Sequence, residues 1–156
     1  MRFTKPSITI AICCLIGLTG TAMSQEKPVK KADLPSAVQK TADEQAKGAT
    51  VRGYSVEVEK GQKAYEVKLV ANHHTKDVLI DSRGNVLEVE EEQGIDSLPA
   101  DVNEGLQAGA GKGRIVKVES LTKHDQLVAY EAVVQQGKKK KEIQVGPHGE
   151  RLTHPE

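Results

Sequence analysis

Two segments of the chain repeat the same alternation of apolar and polar residues. Residues 65–70 read Tyr-Glu-Val-Lys-Leu-Val, and residues 130–134 read Tyr-Glu-Ala-Val-Val. This period of two is typical of a β-strand that is buried on one side only. Tyr65 lies 19 residues before Gly84, and Tyr130 lies 19 residues before Gly149. The pattern therefore predicts an internal repeat, with each copy built around one such strand.

A helix is predicted ahead of each strand-rich segment. Leu34-Pro35 opens the first helix and Leu98-Pro99 the second, and proline is well tolerated in the first turn of a helix. Apolar residues then recur every fourth position, which places them on one face. We expect helices over 35–47 and 99–107. Glycines at 105, 109, 111 and 113 weaken the second helix, and we expect it to fray after about Gln107.

Each helix is followed by alternating segments separated by turn residues. In the first copy the strands are predicted at 54–58, 65–69, 78–80 and 86–89, and in the second at 115–121, from 130 onward and at 143–145. Lys60-Gly61 is predicted to be the first turn. The predicted fold class is α+β, with two tandem units that each pack a helix on their own antiparallel β-meander sheet. The units span residues 33–93 and 94–156, and the polar residues 25–32 are expected to be a flexible tether.

The N-terminal segment has the pattern of a secretory signal peptide, predicted to span residues 1–24. Arg2 and Lys5 precede an apolar run from residue 8 to 18. This run is shorter than the roughly 20 apolar residues that a membrane-spanning helix needs. Cleavage is expected before Gln25, with cleavage after Ala22 as the alternative. Lipidation at Cys13 or Cys14 is a less favoured alternative, because no small residue precedes Cys13. The mature chain is expected outside the cytoplasm, with no stable membrane insertion.

Signal removal changes the composition in two ways. Both cysteines leave, so the exported chain has no disulfide, and Arg2 and Lys5 leave as well. Twenty basic and 22 acidic residues then remain, a net charge of about −2. This near-neutral charge argues against a general nucleic-acid binder. The tyrosines become the only aromatic residues, so each core is expected to consist of Leu, Val, Ile and Ala.

The repeat resembles the PepSY-like domain family. The matching pieces are Leu34-Pro35 with Val38, Tyr65-Glu66-Val67 and the turn at 81–84, Asp-Ser-Arg-Gly. The second copy departs from the pattern, with Ala132 in place of the valine and Gly146 in place of the acid. The tandem arrangement is also similar to the two-unit plan of beta-lactamase inhibitory protein. The resemblance implies an exported, non-enzymatic module, and by analogy one that inhibits or modulates a peptidase.

No pattern in the chain predicts catalysis or a required cofactor. No serine lies in a nucleophile-elbow pattern, and the Gly-rich segment 108–113 lacks the strand and the Gly-Lys-Ser/Thr of a phosphate loop. His73 and His74 could bind a metal weakly, but adjacent strand residues point to opposite faces, so turn histidines are the preferred interpretation. The four lysines 138–141 could hold the protein to the cell envelope, although a solvated strand edge is the preferred interpretation.

The main functional hypothesis concerns the sheet faces that the helices leave open. Because each helix can cover only one face, the other is solvated or available to a partner. We expect an exported protein or peptide to bind there, with a hydrolase as one possible partner class. The predicted partner-binding residues are Glu57, Glu59, Glu66, Lys68, Glu131 and Val133. Tyr65 and Tyr130 are predicted to be core residues, which leaves the open faces without an aromatic anchor.

Overall fold

A computed structural model describes residues 26–59 and 62–156. The predicted signal peptide and the predicted turn at Lys60-Gly61 lie outside the described residues. The described elements are β1 (Lys27–Val29), α1 (Ser36–Gln45), β2 (Thr50–Glu59), β3 (Gln62–Ala71), β4 (His74–Asp81), β5 (Val86–Glu92), α2 (Ala100–Ala110), β6 (Arg114–Lys123), β7 (Gln126–Gln136) and β8 (Lys139–Val145). One-turn 3-10 helices at Lys31–Asp33 and Ile95–Ser97 precede the two α-helices.

The strands form one antiparallel sheet in which the order in space is the order in sequence, β1 to β8. The α+β class is confirmed, but the prediction of two tandem units with separate sheets is wrong. Strand β5 of the first repeat pairs with β6 of the second, from Glu88 opposite Lys123 to Glu92 opposite Glu119. The physical reason is that two separate sheets would each leave an unpaired backbone edge at this point, whereas pairing satisfies both edges.

Two further expectations differ from the structure. Residues 27–29 of the expected tether form strand β1, which pairs with β2 so that Val29 lies opposite Tyr54. Helix α2 continues to Ala110, beyond the predicted end near Gln107. It continues because Leu106 and Ala110 are buried against the sheet, and this packing outweighs the poor helix propensity of the glycines.

The helices pack side by side on one face of the sheet, and each covers its own apolar cluster. The cluster beneath α1 contains Leu34, Val38, Ala42, Val67, Leu69, Val78 and Ile80. The cluster beneath α2 contains Val102, Leu106, Ala110, Ile115, Val118, Ala132, Val134 and Val145. The i, i+4 stripe predicted for each helix is therefore the stripe that is buried. Tyr65 and Tyr130 pack against these clusters, one each, as predicted.

The turn that carries the resemblance is built around a carboxylate in both repeats. In the first repeat, Asp81 accepts hydrogen bonds from the backbone N–H groups of Arg83 and Asn85, at 2.8 and 2.9 Å. The hydrogen bonds from Asn85 and Arg83 lower the pKa of Asp81 to about 2. In the second repeat, Glu150 accepts from the backbone N–H of His148 at 2.9 Å. A Cβ atom at Gly146 would lie 2.0 Å from Glu150 Oε1, so this carboxylate fills the space left by the missing acid.

Candidate functional site

The face of the sheet opposite the helices carries the candidate site, and strand register decides which side chains lie on it. Ser55 pairs with Glu66, and Lys68 pairs with Asp77. Because side chains on a strand alternate between faces, these residues share the helix-free face. The same reasoning places Glu57 there, opposite Ala64. We call this surface the open face.

The structure brings together some of the predicted partner-binding residues and separates others. Glu57, Glu66 and Lys68 lie on neighbouring strands β2 and β3. Glu131 and Val133 lie on the open face of β7, opposite Glu119 and Lys117 of β6. Four inter-strand spacings separate β3 from β7, roughly 19 Å at the usual strand separation. Glu59 is in β2, but its side chain lies outside the described part of the chain.

A charged cluster joins β1 to β3 on the open face. Lys68 Nζ lies 2.8 Å from Glu26 Oε1 and 3.2 Å from Glu66 Oε2. The hydroxyl of Ser55 donates a hydrogen bond of 2.8 Å to Glu66 Oε2. Hydrogen bonding by Lys68 lowers the pKa of Glu26 to about 2, whereas burial and the adjacent Glu26 raise the pKa of Glu66 to about 7. The ammonium group of Lys68 therefore pairs with two carboxylates, Glu26 and Glu66, whose pKa values differ.

Beside this cluster the open face is indented. The indentation has a volume of about 230 Å³, and seven side chains line it: Glu26, Glu57, Glu66, Asp77, Leu79, Glu88 and Glu90. We call it the acidic trough. Burial raises the pKa of Glu90 to about 8, with further contributions from the negative charges of Glu119 and Glu88. Burial also raises the pKa of Asp77, against the opposing effect of Lys68.

Sequence reasoning missed five residues of the trough: Glu26, Asp77, Leu79, Glu88 and Glu90. Glu88 and Glu90 belong to a run of acidic residues at 88 and 90–92, a composition that is typical of a solvated strand end, and Asp77 follows the two histidines closely in sequence. Their alternation with Val78 and Val89 was a usable signal, because these valines face the core and the acids therefore lie on the opposite face. What the alternation could not show is that β6 lies alongside β5 and half-buries Glu90.

The part of the open face beyond β5 is balanced in charge. Lys117 Nζ lies 2.6 Å from Glu119 Oε1, and Lys123 Nζ lies 3.6 Å from Glu88 Oε2. Glu131 Oε2 accepts a hydrogen bond of 2.8 Å from Gln144 Nε2. Burial nevertheless raises the pKa of Glu131. The strongest unbalanced negative charge thus lies on β2 to β5.

The residues of the two alternative hypotheses lie away from the trough. His73 is in the β3–β4 turn with a positive φ of 70°, and His74 begins β4. Among the described residues, no group of three or more histidine, cysteine or acidic side chains could hold a metal ion. Lys139 and the two following lysines are in the edge strand β8, where Lys141 Nζ donates to the carbonyl of Gly109 at 3.3 Å.

A larger groove lies at the other end of the molecule. It has a volume of about 640 Å³ and lies between α2 and β8, with Gly105, Ala108, Ile143, Leu152 and Pro155 among its lining residues. It is mostly apolar and contains none of the predicted site residues. No helix in the described ranges 26–59 and 62–156 is long and apolar enough to cross a membrane.

Comparison with known proteins identifies the fold. A BLIP-like protein from Bacteroides fragilis superposes with a TM-score of 0.57 and 25% identity, over 76% of this chain and 83% of the other. A DUF2874 family protein from Bacteroides ovatus gives 0.61 and 20% identity, over 77% and 85%. A protein from Bacteroides eggerthii that is thought to be periplasmic gives 0.62 and 20%, over 76% and 86%.

These structures confirm the coarser part of the resemblance, a BLIP-like plan, at the level of fold. Their descriptions name BLIP-like, DUF2874 or periplasmic proteins and do not name PepSY, so the PepSY-like assignment stays a prediction. The periplasmic description agrees with the exported location predicted from the N-terminal segment. No family model matches the chain, and no curated protein matches it.

Proposed function

We propose that this protein is an exported, non-enzymatic binding module that docks another exported protein or peptide on its open face. The observation that carries the proposal is the continuity of the sheet. Eight strands in sequence order present one broad face, and both helices lie on the other. A sheet face of this size that is rich in side-chain charge is suited to recognition by complementary charge and shape.

Two further observations support the proposal. The BLIP-like protein from Bacteroides fragilis is 25% identical to this chain and has the same fold over most of both chains. The three tyrosines of the described chain all pack toward the helix side, so the open face relies on charge and aliphatic contact. Aromatic anchors dominate tight interfaces. Binding is therefore electrostatically tuned and of moderate affinity, and modulation of a hydrolase is the finer role that we propose for it.

Site-specific photo-cross-linking in the exported compartment tests the proposal. A photoreactive residue replaces Glu57 or Val133 on the open face, or Lys40, an exposed residue of α1 on the opposite side. We expect both open-face positions to cross-link to the same protein or peptide, and position 40 to give no such product. Products from position 40 alone, or equal products from all three positions, would contradict docking on the open face. If the cross-linked partner is a hydrolase, adding the purified protein should lower its turnover.

A further inference from the structure

We infer that the acidic trough receives a basic segment of the exported partner, one that inserts arginine or lysine side chains between β2 and β5. This inference rests on the proposed function and specifies the chemistry of the partner. The trough lies on the open face, its lining is acidic, and its shape matches a long basic side chain.

The charge of the trough is strongly one-sided. Six of its seven lining side chains are carboxylates, and among the described residues Lys68 pairs with Glu26 and Glu66 while Lys123 lies 3.6 Å from Glu88. Lys68 is already engaged by Glu26 and Glu66. On β6, by contrast, Lys117 pairs with Glu119 of its own strand. A cationic partner would therefore be attracted to the first half of the open face and not to the second.

Two trough carboxylates have no cation of their own. Within the described part of the chain, the side chains of Asp77 and Glu90 make no hydrogen bond and no ion pair, although the charge of Lys68 acts on Asp77 at longer range, and both side chains are only partly exposed. Beside them Glu119 is 7% exposed, and its Oε1 accepts no hydrogen bond, although Lys117 lies close enough for an ion pair. Half-buried carboxylates without partners are unfavourable unless something binds them. A guanidinium group would satisfy them with charge-assisted hydrogen bonds.

The shape of the trough fits a long basic side chain. A volume of about 230 Å³ is sufficient for one or two such side chains and too small for a folded element. Leu79 lies among the carboxylates and offers an aliphatic surface. Lysine and arginine bury their methylene stems on such surfaces while the charged group reaches polar partners. A divalent cation is the rival occupant, but the described residues do not bring three ligands together for one.

The stability of the unbound protein distinguishes a binding role of Asp77 and Glu90 from a purely structural role. If Asp77 and Glu90 are retained for a partner, removing their charge should make the unbound protein more stable while it weakens binding. Residues that merely solubilise the surface would change neither property appreciably. The trough is then a place where binding is maintained at the expense of stability.

The test uses a fluorescently labelled hexa-arginine peptide and a chain that begins at Gln25, with anisotropy measured in 50 mM salt at pH 9, where Glu90, with its pKa of about 8, is ionised. The variant is the double substitution Asp77→Asn, Glu90→Gln. The control, Glu44→Gln with Glu104→Gln, removes the same charge from exposed positions of α1 and α2. We expect the trough variant to bind at least tenfold more weakly than the parent and the control to stay within twofold. The melting temperature of the trough variant should rise by several degrees.

The inference would be overturned by no binding of hexa-arginine to the parent protein, by equal weakening in variant and control, or by a lower melting temperature for the trough variant. Binding of calcium chloride at millimolar concentration that is lost in the trough variant, in place of peptide binding, would also overturn it. Failure of the proposed function is distinguishable from these. In that case cross-links would not form from Glu57 or Val133, even if the peptide bound the trough.

Discussion

Glu88 of β5 lies opposite Lys123 of β6, and Glu88 Oε2 is 3.6 Å from Lys123 Nζ. This pair lies on the seam between the two repeats, because β5 is the last strand of the first repeat and β6 is the first strand of the second. Five consecutive residue pairs join the two strands. The relative position of the repeats is therefore fixed by backbone pairing, and not by the linker alone.

The seam predicts that cysteines introduced at a cross-strand pair will form a disulfide. The substitutions are Glu91→Cys and Ser120→Cys, at residues that lie directly opposite each other. Opposed Cα atoms in an antiparallel pair are about 4.5–5.5 Å apart, within the range of a disulfide. Both native cysteines lie in residues 1–24, so a chain expressed from Gln25 offers no competing thiol. We expect complete intramolecular oxidation and a stabilisation of about 3 kcal/mol.

Thiol titration and mass spectrometry of the oxidised protein provide the measurement, and urea unfolding provides the stability. The matched control combines Glu91→Cys with Leu127→Cys, because Leu127 is in β7 and pairs with Thr122. The control should keep its thiols free. If the first pair also stays reduced, or oxidises only between molecules, the repeats do not share a sheet.

The sequence predicted most of the elements because their burial is one-sided. Strand β3, for example, alternates between core residues such as Val67 and open-face residues such as Glu66, and that alternation is visible without a structure. Strand β1 was missed because Lys27-Pro28-Val29 is short and polar, and its stability comes from pairing with β2. The continuous sheet was missed for the same reason. Backbone pairing between edges leaves no side-chain pattern.

Helix α2 packs closely against the turn that contains Gly149, and this packing predicts that Gly105→Ala lowers the stability of the protein. A Cβ atom at Gly105 would lie 2.1 Å from the carbonyl oxygen of Gly149, a backbone atom that cannot rotate away. Alanine should stabilise the helix by about 1 kcal/mol, but overpacking typically costs about 1–3 kcal/mol, and the backbone shift required here places the cost at the upper end of that range. We expect a net loss of about 2 kcal/mol in the free energy of unfolding.

Urea denaturation of the variant checks this expectation against Gly53→Ala. Gly53 is in β2, where an added Cβ would meet no atom within 4 Å. The control should therefore be neutral or slightly stabilising, because alanine restricts the unfolded chain. Equal stability of the two variants would show that α2 does not approach Gly149 as closely as the structure indicates.

The shared ammonium group of Lys68 predicts a pH-dependent loss of stability in Lys68→Met. Above the pKa of Glu66, which is about 7, the variant leaves two ionised carboxylates side by side. Below it Glu66 is protonated and the repulsion is relieved. We expect a loss of about 1 kcal/mol at pH 8.5, since the side chain is partly exposed, and a smaller one at pH 5.5.

Thermal or urea unfolding at both pH values measures the effect, with Lys63→Met as the control. Lys63 is an exposed residue of the same strand and makes no ion pair within the described ranges. Its replacement should have the same small effect at both pH values. A loss at Lys68 that does not change between pH 5.5 and pH 8.5 would mean that Glu66 does not titrate near neutrality.

The candidate site was less predictable than the fold. Glu57, Glu66 and Lys68 were identified because their alternation with core residues is local to one strand or hairpin. The half-burial of Glu90 depends on β6, where Leu121 lies opposite Glu90 although it is 31 residues further along the chain. Proton affinity therefore depends on tertiary placement, and no local spacing indicates which member of an acidic run is affected.

The pKa of Glu90 predicts how stability changes with pH. Because burial raises this pKa from 4.5 to about 8, the folded state favours the protonated form. The resulting stabilisation is fully present below about pH 4.5 and is lost as the pH rises through 8. One pKa unit corresponds to about 1.4 kcal/mol. Allowing for water access to a partly exposed side chain, we expect a loss of about 2 kcal/mol between pH 5.5 and pH 9.

The substitution Glu90→Gln should remove this part of the pH dependence, because glutamine keeps the shape of the side chain and cannot ionise. The variant should match the parent at pH 5.5 and exceed its free energy of unfolding by about 2 kcal/mol at pH 9, as urea unfolding would measure. A residual decline should remain, since the pKa of Glu66 is raised to about 7 in the same direction. Glu44→Gln on α1 is the control and should parallel the parent. Parallel curves for Glu90→Gln and the parent would show that Glu90 stays ionised, and that β6 does not bury it.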